Sequence, residues 1–571
     1  MQAVTFETLL EALDAAPAER PFATIWNADD DIDSVTFGQF RLRAQSHAAY
    51  FRGHGLAEGQ TVILIMPQGI ELMTAFVGAM VLGAIPAILA YPNFKVEPKK
   101  YRSGLSGVSA NLEAAFVIVD EAFPQELLEH IELGNGTKVL RLNAVSGEAV
   151  FESVPLSARS PQSVAFIQHS AGTTGLQKGV ALSHAAVLRQ LDHLTAELKV
   201  TDQDRIYSWL PLYHDMGLIA CFMLPLVYHL PVVMQSPTDW VMHPGTMLEL
   251  ITEYRCTLAW TPNFALQFLA RRVRAEDRER LDLSSLRALI NCSEPLRAQS
   301  IDEFSNAYSA VGLQPGALQS SYAMAENVFA VTQSRLAEPV KRIWVDGARL
   351  RSEHLAQPVV QDEVGAVCLV SSGRRLPGNQ IRIVAAAGEE LVAGMVGEIC
   401  ITGDSLFDGY YNRPDLTALA LRDGFFRTGD LGFCLAEELY VIGRNKDLII
   451  VAGKNIYPQD VEEIVWSHAR VRDGRVVSMG LFNPELGTED IVVVAEVVDE
   501  ADLENSREIE RALRNAIVAE LGVAARGVFL KPPRWIVKST AGKPARSQTR
   551  DKLLAEHPEL VHEYRPLETE A

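Results

Sequence analysis

Basic residues are scarce in this 571-residue chain: 52 lysines and arginines stand against 72 aspartates and glutamates, a formal net charge of −20. A general nucleic-acid binder needs a basic face, so the balance argues against that class and for a well-solvated surface. Cysteine is scarce too. The six, Cys221, Cys256, Cys292, Cys368, Cys400 and Cys434, form no CxxC and no Cys/His ligand spacing, which argues against zinc. Scattered thiols of this kind suit a reducing cytoplasm. Long apolar runs are missing, with one exception. MTAFVGAMVLGAIPAILAYP, residues 73–92, carries no charge over twenty positions, the length of a membrane span. Gly83 and Pro86 interrupt it, so it reads as a buried helix ending near Gly83 and then a buried strand, IPAILA. No stable membrane insertion is expected. The N-terminal stretch has early acids and no long apolar core, so it does not read as a signal peptide. Internal repeats and low-complexity tracts are absent.

What is present is alternation. From about residue 40 to 330, VILIMP, AAFVIVD, VAFIQHS, PVVMQ, TLAWTP and LRALIN are candidate buried strands with helical stretches between several of them. That pattern predicts α/β architecture with largely parallel sheets. Over 365–445 the texture changes to short strands with glycine turns (GAVCLVSSG, NQIRIVAA, GEICITG, EELYVIG), as in a β-rich subdomain. After GRNKD a further plan begins. YPQDVEEIVWSH starts a helix with Pro458 early in it, and Ile509, Leu513, Ile517 and Leu521 form one helical stripe closed by Gly522. The expected division is a large N-terminal part, 1–445, and a small mobile α+β part, 446–571, with a short charged hinge at Lys446.

HSAGTTGLQKG, residues 169–179, follows a strand and precedes a helix that Ser183 can cap. Glycines, hydroxyls and one lysine suit a phosphate, although Lys178 is followed by Gly179 rather than the Ser or Thr of a Walker A loop. Read alone, the stretch is equally a glycine-rich surface turn. FRTGDLG puts Asp430 in a tight turn, where a carboxylate suits two ribose hydroxyls or simply the turn itself. SSYAMAENV offers Tyr322 as a flat surface and Glu326 as an oxygen ligand for Mg²⁺, or else one helical turn with a core tyrosine. KSTAGKPARSQTR carries Lys543 between small residues. From Arg526 to Lys552 there are eight basic residues and one acid, a local reversal of sign that suits docking, ATP or mere solvation. His214 in LYHDMG reads as a substrate-side or a buried histidine, and Trp209 and Trp260 as core more than pocket.

In this order, these motifs together with GYYNRPDLT, DGFFRTGDLG and GRNKDLIIVAGKNIYPQDVE closely resemble the adenylate-forming superfamily of acyl-CoA synthetases, amino-acid adenylation domains and luciferases, along essentially the whole chain. SWLPLYHDMGLI, TPNFAL, NCSEPLR, YAMAE and LVSSGRRLPGNQIRIV are similar, more narrowly, to fatty-acyl-AMP ligases. Tyr322 and Gly397 are 75 residues apart, longer than in most CoA ligases, and fatty-acyl-AMP ligases carry an extra insertion thought to disfavour the CoA-competent arrangement; the surplus is placed at about 340–365.

The resemblance implies ATP and Mg²⁺ as cofactors and a two-step reaction. An acid becomes acyl-AMP with loss of pyrophosphate. The acyl group then passes to the phosphopantetheine thiol of a separate acyl carrier protein, with CoA as the alternative acceptor. It further implies that Ser170, Gly172, Thr173, Thr174 and Lys178 hold the β- and γ-phosphates and Glu326 the metal. Tyr322 would pack the adenine with the Ser293 loop, Asp430 and Arg444 would hold the ribose, Lys543 would bridge the carboxylate and α-phosphate oxygens, and His214 would sit by the acyl carboxylate. Gln177 stands where the family favours Pro, and Ala325 where most CoA ligases have Thr.

Overall fold

The computed structural model describes residues 6–28, 32–92, 98–128, 136–142, 159–169, 178–451, 454–483, 486, 488–538 and 544–560. A six-stranded sheet runs in the order Lys138–Leu142, Phe116–Asp120, Thr61–Ile65, Ile85–Ile88, Val164–His169, Gly179–Ser183. All its pairings are parallel except the last. The VILI run explains why no polar alternation marks its centre. Val62 and Leu64 enter the main core, while Ile63 and Ile65 enter a second core on the opposite face with Leu105, Val108 and Leu112. A strand buried on both faces must be apolar throughout.

The uncharged 73–92 stretch divides at Gly83. The Ile70–Leu82 helix ends there with φ +83°, a left-handed turn that favours glycine, and Ile85–Ile88 is a strand. No helix among the described residues is long and apolar enough to cross a membrane.

A 14-stranded sheet forms most of the rest of the large N-terminal part, beside a separate antiparallel pair, Arg342–Asp346 and Ala366–Val370. One half is parallel: Pro21–Trp26, Val232–Gln235, Ile206–Ser208, Leu258–Thr261, Ala288–Asn291 and Leu318–Ala323 lie side by side. From Leu318–Ala323 onward the pairing turns antiparallel, through Ala330–Gln333, Arg374–Arg375, Glu438–Arg444, Phe425–Leu435, Gly397–Gly403 and Asn379–Val384. The change of texture over 365–445 is this antiparallel half. It continues the same sheet, and one apolar core runs beneath both halves, from Leu258 and Ile290 to Ile399 and Phe426.

One element is added to the sequence reading. Gly179–Ser183 is a fully buried strand, antiparallel to Val164–His169, ahead of the helix that begins at His184 as the Ser183 cap predicts. Ser183 caps it, its Oγ accepting from Ala186 N at 3.2 Å. A strand, rather than a helix, is thus the first element described after Lys178.

The chain after Ile449 encloses its own core. Val471–Asn483, Thr488–Val497 and Ala525–Lys531 form a three-stranded sheet. Ile509, Leu513, Ile517 and Leu521 pack on it from the Ser506–Leu521 helix, which ends at Gly522 with φ +64°. Among the described residues, the contacts of this part with the rest of the chain include the following two. The Gly347–Ser352 helix, which lies where the sequence reading places the surplus, packs on the Lys454–Ile456 strand. The Arg297 guanidinium lies 4.3 Å over the Trp466 ring, Trp466 Nε1 donates to Asp473 Oδ1 at 2.7 Å, and Arg271 pairs with both Asp473 and Glu303.

Candidate active site

Ligands in open parallel sheets bind beyond the carboxyl ends of the strands, at the point where the order or direction changes. Here that point is the end of Leu318–Ala323, the last parallel strand, and Tyr322 stands on it. The Tyr322 hydroxyl donates to Asp430 Oδ2 at 2.6 Å. Asp430 is not in a tight turn, as the sequence reading has it. It lies within the Phe425–Leu435 strand, directly across from Arg444, whose Nε is 3.2 Å from Asp430 Oδ1. The turn-like composition of RTGDLG is absorbed by a left-handed Gly429 (φ +74°) and a bulge at Leu431/Gly432, so the strand continues. Glu398 steadies this kink: it accepts from Gly429 N at 3.1 Å and from Arg427 Nε at 2.9 Å. Burial pushes the Tyr322 phenol far up, and the Asp430 charge pushes it further, so it remains a donor. Asp430 in turn raises Arg444.

Glu326 sits in the single turn Ala325–Asn327, closed by Val328 at φ +61°. A β-branched residue in that region is strained, and strain of this kind gathers at functional sites. Glu326 Oε1 accepts from the Tyr410 hydroxyl at 2.8 Å, and Lys178 Nζ lies 4.5 Å over the Tyr410 ring. Desolvation pushes the Glu326 carboxyl up; the Tyr410 hydrogen bond and the Lys178 charge oppose this, and the Asp215 charge adds to it. Glu326 and Lys178 thus meet at Tyr410, with the Asp215 charge in range of Glu326. His214 Nδ1 is 2.6 Å from Asp215 Oδ1, whose carboxylate also accepts from Met216 N at 2.8 Å. Lys446, the expected hinge, reaches the same place: burial first, then Arg444, holds it low, with Asp430 and Lys178 also in range.

Ser293 follows the Ala288–Asn291 strand with φ +69°, a second strained position at the same sheet edge. Its loop is tied down on either side, by Asn291 Nδ2 to Asn263 Oδ1 at 3.0 Å and by Phe264 N to Glu294 Oε2 at 3.0 Å.

The structure thus brings together Lys178, Tyr322, Glu326, Asp430, Arg444 and Lys446, with His214 alongside. Ser170, Gly172, Thr173, Thr174 and Lys543 lie outside the described residues. Tyr410 and Asp215 were missed as site residues. Both fall in stretches already singled out, GYYNRPDLT and LYHDMG, and the only available signal was that a buried carboxylate needs a donor. Trp209 stacks on Trp240 with centroids 3.8 Å apart, and Trp260 is fully buried. The basic stretch 526–552 is largely spoken for: Arg526 pairs with Asp490, Lys531 with Glu556, Arg546 with Glu462 and Asp447, and Arg550 with Asp551.

A family model described as AMP-binding enzyme matches residues 12–411. The chain is an AMP-binding enzyme. It is 27% identical over 574 residues to the medium-chain-fatty-acid–[acyl-carrier-protein] ligase JamA of Moorena producens, covering 96% of this chain and 95% of the relative. It is also 27% identical over 576 residues to the probable long-chain-fatty-acid–AMP ligase FadD30 of Mycobacterium tuberculosis, covering 95% and 96%. Among solved structures, a chain from studies of fatty acyl-adenylate ligases of E. coli and L. pneumophila superposes with a TM-score of 0.88 at 28% identity, over 98% of this chain and 99% of that one. This AMP-binding enzyme therefore has the adenylate-forming fold, and its activity is of the ligase type.

Proposed function

We propose that this enzyme uses ATP to convert a fatty acid to acyl-AMP, releasing pyrophosphate, and then transfers the acyl group to the phosphopantetheine thiol of a separate acyl carrier protein. The observation that carries this reading is the grouping of a flat ring and a fixed carboxylate (Tyr322, Asp430) with a cation and a second carboxylate (Lys178, Glu326). The first pair suits a nucleoside and the second a polyphosphate.

The chemical obstacle is that a carboxylate must attack an α-phosphate that is already negative. Positioning and fixed cations remove it. In this reading Lys178, with Ser170, Gly172, Thr173 and Thr174, holds the β- and γ-phosphates. Asp430, oriented by Arg444 and the Tyr322 hydroxyl, accepts from the ribose hydroxyls, and the Ser293 loop and Tyr322 flank the adenine. His214, fixed by Asp215, faces the acyl carboxylate, and Lys543 spans carboxylate and α-phosphate.

The donor chemistry fits Mg²⁺. Glu326 is a hard oxygen ligand with an acid near it, and among the described residues no group of three or more His, Cys, Asp or Glu gathers to make an all-protein cage. Mg²⁺ takes one or two carboxylates and completes its shell with phosphates and water, and it would supply charge neutralisation on those phosphates.

For the second step the 446–571 part turns about Lys446, withdrawing Lys543 and admitting the thiol. The contact between the insertion helix Gly347–Ser352 and the Lys454–Ile456 strand supports a carrier protein over CoA, because it ties the moving part to an element that fatty-acyl-AMP ligases carry. A cytoplasmic location follows from the free thiols and the acceptor.

The test is acceptor choice. With ATP, Mg²⁺ and a panel of fatty and aromatic acids, mass spectrometry should find acyl-AMP and acylated holo carrier protein, with little acyl-CoA when CoA is offered alone. Efficient acyl-CoA formation would replace this reading with that of a CoA ligase.

A further inference from the structure

Four of the eight cations of the basic stretch pair with acids of the chain, and one of the others, Arg534, meets two arginines from another strand. In the Val471–Asn483 strand the pairing jumps from Val471↔Val497 to Val476↔Ala495, so residues 472–475 bulge out opposite the single residue Glu496, with Gly474 at φ +64°. The bulge carries Arg472 and Arg475. Glu496 is fully buried, and two segments meet on it: Arg475 Nε lies 3.8 Å from Oε2, and Ile536 N donates to Oε1 at 2.8 Å. The second contact brings the 532–536 turn, with exposed Arg534 at φ +74°, onto the same spot. Burial holds Arg475 low; the Glu496 charge opposes this and the charges of Arg472 and Arg534 add to it, so both of those arginines are within range of Arg475. Asp473, the acid in the bulge, turns away to Arg271 and Trp466. Among the described residues, neither Arg472 nor Arg534 has a carboxylate within ion-pair distance.

The place matters as much as the charge. Just beyond Ile536 the chain forms a hairpin base, Ala545 N donating to Val537 O at 2.8 Å, and Lys543 belongs to the connection between its two arms. On the other side, Asp473 and Trp466 join the N-terminal part. The patch therefore sits at the seam between the two parts of the chain, at the root of the segment that carries Lys543.

We infer that Arg472, Arg475 and Arg534 form the docking patch for an acidic acyl carrier protein. This rests on the carrier reading of the acceptor. A chain of net charge −20 repels an acidic partner on balance. A compact cationic patch then decides where such a partner lands and how fast, because charge complementarity acts chiefly on encounter and orientation.

The test uses the full-length enzyme with a holo acyl carrier protein of net negative charge, and free pantetheine as the acceptor that needs no docking. Arg472→Glu/Arg534→Glu leaves Arg475 on Glu496; Arg472→Gln/Arg534→Gln is the milder partner variant. Acid-dependent pyrophosphate release and transfer to pantetheine should match wild type in both, which also shows that they fold. The KM for the carrier should rise roughly tenfold or more at low salt in the reversed variant and less in the neutral one. Added salt should raise the wild-type KM and narrow the gap. An unchanged carrier KM overturns the patch, as does an equal loss toward pantetheine and carrier. A wild-type enzyme that acylates CoA but no carrier overturns the carrier reading itself, a result visible without any variant.

Discussion

Tyr322→Phe isolates one hydroxyl. The ring, and with it any face offered to adenine, is kept; the donor to Asp430 Oδ2 at 2.6 Å is lost. Tyr322 and Asp430 are both 9% exposed, so water cannot readily replace that donor. A hydrogen bond to a charged acceptor contributes about 1.5–3 kcal/mol, and 1.4 kcal/mol is about tenfold. Arg444 remains 3.2 Å from the other oxygen but is itself about half exposed, so it holds the carboxylate's position only in part. The expected result is a loss of roughly tenfold, and at most about 150-fold, in kcat/KM for ATP, read from acid-dependent pyrophosphate release. Tyr322→Leu, which removes ring and hydroxyl together, should lose more. If Tyr322→Phe stays within about twofold of wild type, the hydroxyl does not orient Asp430 for the nucleotide and the reasoning fails.

Three further outcomes are expected. Lys543→Ala should abolish adenylation, by at least the roughly 100- to 1000-fold typical of a charge-stabilising group, while sparing ATP binding measured by calorimetry; unchanged pyrophosphate release would remove its role. Burial pushes Asp460 up to about 6, with Arg351 and Arg297 lowering it and Glu463 raising it. The folded value lies above the ordinary one, so its contribution to stability is complete below pH 3.8 and is lost as pH rises through about 6. Asp460→Asn should therefore gain about 2–3 kcal/mol over wild type in urea unfolding at pH 8 and nearly nothing at pH 3.5; an equal gain at both would contradict the cause. Finally, a double-mutant cycle of Arg297→Ala and Trp466→Ala, read by proteolysis around Lys446, should return a coupling near 1 kcal/mol from the cation–π contact, and no coupling would dissolve that link between the two parts.

Local pattern made much of the fold legible. The strands read from apolar runs are present, Gly83 ends its helix, and the stripe from Ile509 to Leu521 is buried as its spacing requires. Where the reading departed, tertiary pairing outweighed local chemistry. RTGDLG has turn composition, yet a bulge and one left-handed glycine keep Asp430 in a strand. GVALS carries the helix cap that the sequence shows, but its pairing as a strand emerges only once Val164–His169 lies beside it. The site's internal wiring was less accessible, because its partners are remote in sequence: Tyr322 and Asp430 are 108 residues apart, Glu326 and Tyr410 84. Resemblance supplied the roles of the first three and none for Tyr410. The basic stretch shows the same limit from the other side. A run of cations says nothing of the acids that Asp490, Glu556 and Glu462 bring to it from elsewhere.

The central claim is that the acid's own oxygen attacks the α-phosphate. The most direct measurement supplies the enzyme with ATP, Mg²⁺, an acyl acceptor and a fatty acid labelled with ¹⁸O in both carboxylate oxygens, and then weighs the nucleotide and phosphate products. The account predicts one ¹⁸O atom in AMP and none in pyrophosphate. Unlabelled AMP, or label in inorganic phosphate alongside ADP, would contradict it.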